Sequence, residues 1–208
     1  MYIHYGCGLT APKEWNNFDV SPTLRLQKIP LIGSLISPML NVRFPRNVHY
    51  GDIIKGLPLA DNSCDGVFCS HVLEHLSLMD LRKALKNTYL LLKPEGIFRC
   101  VVPDLEYATR VYIDSLKKGD QMASIRFIKN TLLGVEQRPR GLKALLSNVM
   151  GNSNHLWMWD RLSLAHELSE VGFREIRECK FNDCNDEKFQ LVENKNRFIN
   201  AVALECKK

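Results

Sequence analysis

The chain has 208 residues, of which 45% are apolar and 25% charged, with 28 basic against 23 acidic residues and a formal net charge of +5. This length and apolar content fit one globular domain whose core needs no disulfide or metal staple, and they exclude an intrinsically disordered chain. The charge excess is small and dispersed. Its densest patches, Arg138-Pro139-Arg140 with Lys143 and Lys195 to Arg197, are too short to argue for a nucleic-acid partner.

Met1 to Tyr5 reads as a short strand that runs straight into Gly6-Cys7-Gly8. Trp15 to Val20 reads as a second strand, and Val48 to Tyr50 as a third, followed by Gly51-Asp52. Cys64 to Ser70 is an apolar run of the kind buried on both faces of a parallel sheet. Leu78 to Leu92 repeats apolar residues at helical spacing through Leu81, Ala84, Leu85, Thr88 and Leu92. Lys93-Pro94-Glu95-Gly96 stops that helix, and Ile97 to Val102 follows as a strongly β-prone run. Leu162 to Val171 is a second helix, with Asp160 as its N-cap and Gly172 as its stop. Phe173 to Phe181 and Phe198 to Glu205 make a final pair of strands, joined by Asn182 to Lys188 as an antiparallel hairpin.

Alternation of this kind predicts an α/β fold: a Rossmann-like, doubly wound, mainly parallel sheet with an antiparallel C-terminal hairpin. It is read as a single domain over 1–208 with insertions at about 21–46 and 107–150. Pro22, Pro30, Pro38 and Pro45 keep a long helix out of the first insertion, and the second is mostly helical in pattern. Only Leu9 to Phe18 separates Gly8 from Asp19, and Pro12 interrupts it, so the first helix is expected to be short or absent.

Seven cysteines, an odd number without a Cys-x-x-Cys pair, fit reduced thiols. Cys64 and Cys69, five apart in one strand, are expected on opposite faces. No stretch reaches the roughly 18 apolar residues of a membrane span. Glycine and lysine interrupt the first 13 residues, so no leader is expected and the expected location is cytoplasmic.

Open parallel sheets bind ligands at the carboxyl ends of their strands. There the sequence places Gly6, Cys7 and Gly8, then Asp19, then Asp52, then Ser70 and His71, then Pro103 and Asp104. Glycine lets backbone N–H groups face a ligand, and a carboxylate after the second strand suits a ribose diol. The ordered set IHYGCG, NNFDVSP, YGDI, LPLADNSCDGVFCSHVLEHL and LLKPEGIFRCVVPD, over roughly residues 2 to 104, resembles the class I S-adenosylmethionine (SAM)-dependent methyltransferases. The nearest likeness is to the branch with a His-Val-Leu-Glu-His-type turn after the fourth strand, with a fainter echo at Leu162 to Phe173.

The resemblance implies SAM contacts from Tyr5, Gly6, Cys7 and Gly8, with Asp19 on the ribose, Asp52 and Ile53 beside the adenine, and Ser70, His71 and Val72 toward the methionine side. It implies methyl transfer to a small-molecule or sugar acceptor, on oxygen or nitrogen, with S-adenosylhomocysteine (SAH) as product. The family's N-terminal helix has no counterpart before Tyr2, which leaves SAM exposed or covered by a partner chain, such as a second copy in a homodimer. A SAM-binding module or partner subunit without catalysis is the alternative.

For a base the sequence offers His155, His71 and Glu74. His155 stands in Asn154-His155-Leu156-Trp157-Met158-Trp159-Asp160, a segment expected on the same rim. His71-Val72-Leu73-Glu74-His75 also fits H-x-x-E-H, a zinc-peptidase pattern. That pattern needs a long helix and a third ligand, and His71 follows a strand, so no metal is expected. Leu24 to Leu40 is apolar with two cations and suits a cover over the sheet edge or a partner contact better than a membrane surface.

Overall fold

The computed structural model describes residues 1–29, 42–137 and 154–208. Most of the apolar 24–40 stretch and the Gly- and Asn-rich end of the second insertion lie outside these residues. Seven strands form one sheet: β1 (Tyr2–Tyr5), β2 (Asn16–Asp19), β3 (Val48–Tyr50), β4 (Cys64–Ser70), β5 (Leu92–Pro103), β6 (Arg174–Glu178) and β7 (Ala201–Lys207). The helices are α1 (Pro22–Gln27), α2 (Leu78–Leu91), α3 (Leu105–Lys117), α4 (Ala123–Asn130) and α5 (Arg161–Val171). The sheet order is β3-β2-β1-β4-β5-β7-β6. The first five strands are parallel, and β7 runs antiparallel to both β5 and β6. The order reverses between β1 and β4, and a crevice at the carboxyl ends there is the expected ligand position.

Strand alternation sorts side chains onto two faces. One face carries Ile3, Tyr5, Val67, Cys69, Phe98, Cys100, Val102, Val202 and Leu204, packed against Leu81, Ala84 and Leu85 of α2 and Leu164 and Leu168 of α5. Local chemistry sets both helices. The Ser77 hydroxyl accepts from the Asp80 N–H at 3.2 Å, Asp160 and Ser163 form a reciprocal capping box, and Gly172 takes the left-handed C-cap at φ 110°.

Among the described residues, the other face has no α-helix over β1, β4 and β5. Between β1 and β2 the chain only turns, and the cover is the segment 179–200, which contains two short 3₁₀ turns, Glu187–Leu191 and Lys195–Phe198. Phe189 packs edge-on against Trp15 at 5.2 Å, and the Trp15 indole donates to the Lys188 carbonyl at 3.1 Å. Gly66 leaves the space this needs, since a Cβ there would sit 2.8 Å from Tyr2 and 3.0 Å from Phe189. The joint between β6 and β7 is therefore a structural layer rather than a tight hairpin loop. Phe198 leaves the strand for a turn, and β7 starts at Ala201.

A buried ion cluster fastens this segment. Arg99, in the middle of β5, is fully buried. Its guanidinium donates to Glu193 at 2.8 Å, Asp183 at 3.0 Å and the Lys180 carbonyl at 3.1 Å, and it also pairs with Glu205 of β7. Arg177 of β6 adds a second cation on Asp183 and Glu205.

Two details differ from the sequence reading. The strand expected from Ile97 begins at Leu92, directly after α2, and its pairing shifts register between Cys64 and Gly66. That irregularity puts Cys64 and Cys69 in the same core rather than on opposite faces. In the first insertion, where the prolines were expected to keep out a long helix, α1 is only six residues long, with Pro22 in its first turn.

Removing Arg99 leaves buried carboxylates without their cation. Arg99→Leu is expected to lower the unfolding free energy by about 3–5 kcal/mol, read from urea denaturation. A loss under about 1 kcal/mol would be the signature of an exposed ion pair and would contradict this role.

Candidate functional site

β1 ends at Tyr5, and the chain turns over Gly6-Cys7-Gly8. Gly6 has φ +63°, and a Cβ there would meet Val72 Cγ2 at 2.2 Å. Glycine is thus required twice, for the left-handed backbone and for the close approach of the β1 and β4 loops. The Gly8 N–H donates to Asp19 Oδ2 at 3.0 Å, and the Ser21 N–H donates to Asp19 Oδ1 at 2.8 Å. Asp19 therefore ties the glycine loop to the end of β2, and each of its oxygens keeps a lone pair. The Gly51 N–H donates to the Asp19 carbonyl at 3.1 Å, which aligns the β3 end beside it. Asp52 Oδ1 accepts from the Ile54 N–H at 3.0 Å, and the Ile53 carbonyl accepts from Asn87 at 2.7 Å.

A cavity of about 360 Å³ opens on the glycine loop, between Gly6, Gly8, Thr10, Ser70, Asn194 and Arg197. The residues expected to bind one ligand divide around it. Gly6, Cys7, Gly8 and Ser70 line it. The Tyr5 ring and the Ile53 side chain are turned into the core instead, the Tyr5 hydroxyl accepting from Thr88 at 3.4 Å. Asp19 and Asp52 stand on the neighbouring strand ends, outside the cavity lining.

After β4 the backbone turns sharply at His71, which takes φ 56°, and the Ser70 hydroxyl lies 3.1 Å from His71 Nδ1. Burial, with Arg197 nearby, pushes the His71 imidazole down to about 4. A 3₁₀ turn follows over Leu73–His75. It is too short to present two histidines one turn apart, so the zinc-peptidase arrangement of His71 with His75 is not formed.

A different group assembles. The Glu74 carbonyl accepts two N–H groups, from Leu156 at 2.8 Å and Trp157 at 3.1 Å, and the His155 N–H donates to the Leu132 carbonyl at 3.1 Å. These bonds bring His155 beside the turn, as the rim position of its segment predicts. Glu74, His75 and His155 each offer a ligand atom within 4.8 Å of the other two. The Glu74 carboxyl is buried, and neither of its oxygens has a hydrogen-bond partner among the described residues. His155 Nε2 lies 4.0 Å away, beyond hydrogen-bond reach. Burial pushes the Glu74 carboxyl up to about 8. Burial and then His75 push His155 below its ordinary value. A hollow of about 540 Å³ lies beside this group, lined by Ile125, Ile128, Leu132, Val135 and Asn154.

Sequence reasoning missed Asn194 and Arg197. They reach the glycine loop from the far end of the chain, and their only signal was the short basic patch Lys195 to Arg197. No carboxylate among the described residues pairs with Arg197.

Residues 37–100 match the family model described as "Methyltransferase domain". No curated protein matches the sequence. Among solved structures, the chain is similar to a SAM-dependent methyltransferase from Archaeoglobus fulgidus, with 18% identity and a TM-score of 0.51 over 100% of this chain and 85% of that one. It is also similar to a possible histamine N-methyltransferase from Thermotoga maritima, with 16% identity and a TM-score of 0.52 over 100% and 81%. At these identities the likeness is one of fold.

Gly6→Ala is expected to cost roughly 1–3 kcal/mol of stability, from the left-handed backbone and the contact with Val72. Val72→Ala in the same chain should restore part of the loss, since it relieves the contact but not the backbone strain. Denaturation of both variants reads the two contributions, and equal stability of the single and double variants would contradict the close approach.

Proposed function

We propose, on the premise that this chain is a methyltransferase domain in the class I, SAM-dependent fold, that it binds SAM at the glycine-loop cavity and transfers the methyl group to a small-molecule or sugar acceptor. The cavity between Gly6, Gly8, Ser70 and Arg197 carries this reading, because it lies at the carboxyl ends of β1 and β4, where the strand order reverses. The methionine carboxylate of SAM suits the Arg197 guanidinium, which pairs with no carboxylate among the described residues, as a charge-assisted contact. The ribose diol suits the remaining lone pairs of Asp19, and Asp52 and Ile53 would border the adenine. Ser70, His71 and Val72 then stand toward the sulfonium.

The reaction is an in-line displacement. The acceptor atom forms a bond to the methyl carbon while the carbon–sulfur bond breaks, and the sulfonium becomes the neutral thioether of SAH. Alignment of donor and acceptor supplies much of the rate. An acceptor hydroxyl must also lose its proton, and His71, Glu74 and His155 are the candidate side chains for taking it. The hollow beside His155, with its apolar lining, suits the body of an acceptor. No helix among the described residues is long and apolar enough to cross a membrane.

Titration calorimetry with SAH is expected to show one site per chain. Arg197→Met should weaken it by about 10–100-fold, the scale of a lost hydrogen bond to a charged group. Absence of SAH binding to folded wild-type protein would overturn the proposal. Transfer of labelled methyl from SAM to an extract tests catalysis separately, and binding without any labelled product would leave a SAM-binding module or partner subunit.

A further inference from the structure

The Glu74, His75 and His155 cluster carries a second ligand chemistry. Two imidazoles and one carboxylate, Glu74 and His155 buried and His75 half-buried, with ligand atoms within 4.8 Å of one another, form a donor set suited to a divalent transition metal. The carboxylate supplies an independent observation. Both its oxygens are buried and unpartnered among the described residues, and a buried polar group in that state is costly unless something binds it. His75 supplies another. Its Nδ1 lies 3.1 Å from the Asn154 carbonyl. A carbonyl can only accept, so Nδ1 carries the proton and Nε2 presents its lone pair, the orientation typical of a metal-bound histidine. The two N–H bonds to the Glu74 carbonyl hold the His155 segment against the turn, so the set does not rest on a loose loop.

We propose that Glu74, His75 and His155 bind one divalent transition-metal cation, of which Zn²⁺ is the type, and that this cation receives the acceptor's hydroxyl oxygen. His71 of the H-x-x-E-H motif is not a ligand in this arrangement. Zinc holds such ligands at roughly 2.0–2.2 Å, which sets tetrahedral ligand atoms about 3.4 Å apart, so binding draws the three side chains inward by rotation. The inference rests on the reading of the chain as a methyltransferase only for what the metal does. It moves Glu74 and His155 from proton carriers to metal ligands and makes the acceptor an alcohol. A bound cation lowers the pKa of a coordinated hydroxyl. The acceptor proton then leaves to solvent or to His71, the oxygen forms its bond to the methyl carbon, and the carbon–sulfur bond breaks to give SAH.

The test is titration of the metal-stripped, full-length chain with ZnCl₂ by calorimetry, with Co²⁺ absorption as a second readout. Wild-type protein is expected to bind one equivalent, and Co²⁺ to give a visible band. His75→Ala and His155→Ala should each lower the affinity by about 100-fold or more, beyond the 10–100-fold typical of a lost supporting contact, and abolish the band. His71→Ala should retain both. Circular dichroism and SAH titration on the same samples show that each variant is folded and keep this test separate from the SAM reading. A folded wild type that binds no Zn²⁺, or Zn²⁺ binding unchanged in the His75 and His155 variants, would overturn the proposal. So would loss of binding in His71→Ala alone.

Discussion

The arrangement depends on one buried guanidinium. Arg99 projects from the central strand β5 onto the sheet face that, among the described residues, no α-helix covers over β1 and β4. Fully buried, it must be paired, and its partners all come from β7 or from the segment 179–200. That segment is thereby held as a lid of fixed shape, with Phe189 against Trp15 and its last turn at the glycine loop. An irregular stretch has few backbone bonds of its own to hold it. The ion cluster and the aromatic contacts supply what a helical ladder would otherwise provide. Through this one fastening, a residue in the middle of the sheet sets where Arg197 stands relative to Gly6 and Gly8.

The glycine loop shows the same economy. A loop followed by a long helix presents free N–H groups along the helix dipole. Here the chain only turns, and the Gly8 N–H is already committed to Asp19. Positive charge at the cavity comes instead from Arg197, a side chain delivered from the C-terminal third. The turn after β4 then separates two chemistries. Ser70 and Val72 face the glycine loop, while Glu74 and His75 face His155 and the hollow beyond it. Donor and acceptor sides of the proposed reaction thus meet at one short stretch, Ser70 to His75, whose path is set by the strained backbone at His71.

Much of this was legible in the sequence because it is local. The period of Leu81, Ala84, Leu85 and Thr88, the N-cap Asp160 and the stop at Gly172 are decided within a turn or two of chain. The strand ends at Asp19, Asp52 and Ser70 follow from the same short-range patterns. What escaped is long-range or depends on register. The shift between Cys64 and Gly66 reverses the alternation that parity predicts. Phe198 looked like strand and became a turn, because segment 179–200 serves the packing of Trp15 and Arg99 rather than the β6–β7 joint. Arg99 itself read as one polar residue in an apolar run. Its partners lie more than 80 positions away in sequence. Glu74 and His155 were visible as separate candidates, but only the Glu74 carbonyl bonds to Leu156 and Trp157 place them together.

In the proposed SAM site, an irregular, ion-fastened segment takes the place of a helix. A crystal structure of the chain with SAH tests it most directly. SAH is expected in the cavity between Gly6, Gly8 and Ser70, with its carboxylate on Arg197 and its sulfur toward the Ser70–Val72 turn. SAH bound elsewhere on the sheet, or in this cavity with Arg197 turned away from it, would show that the segment does not complete the site.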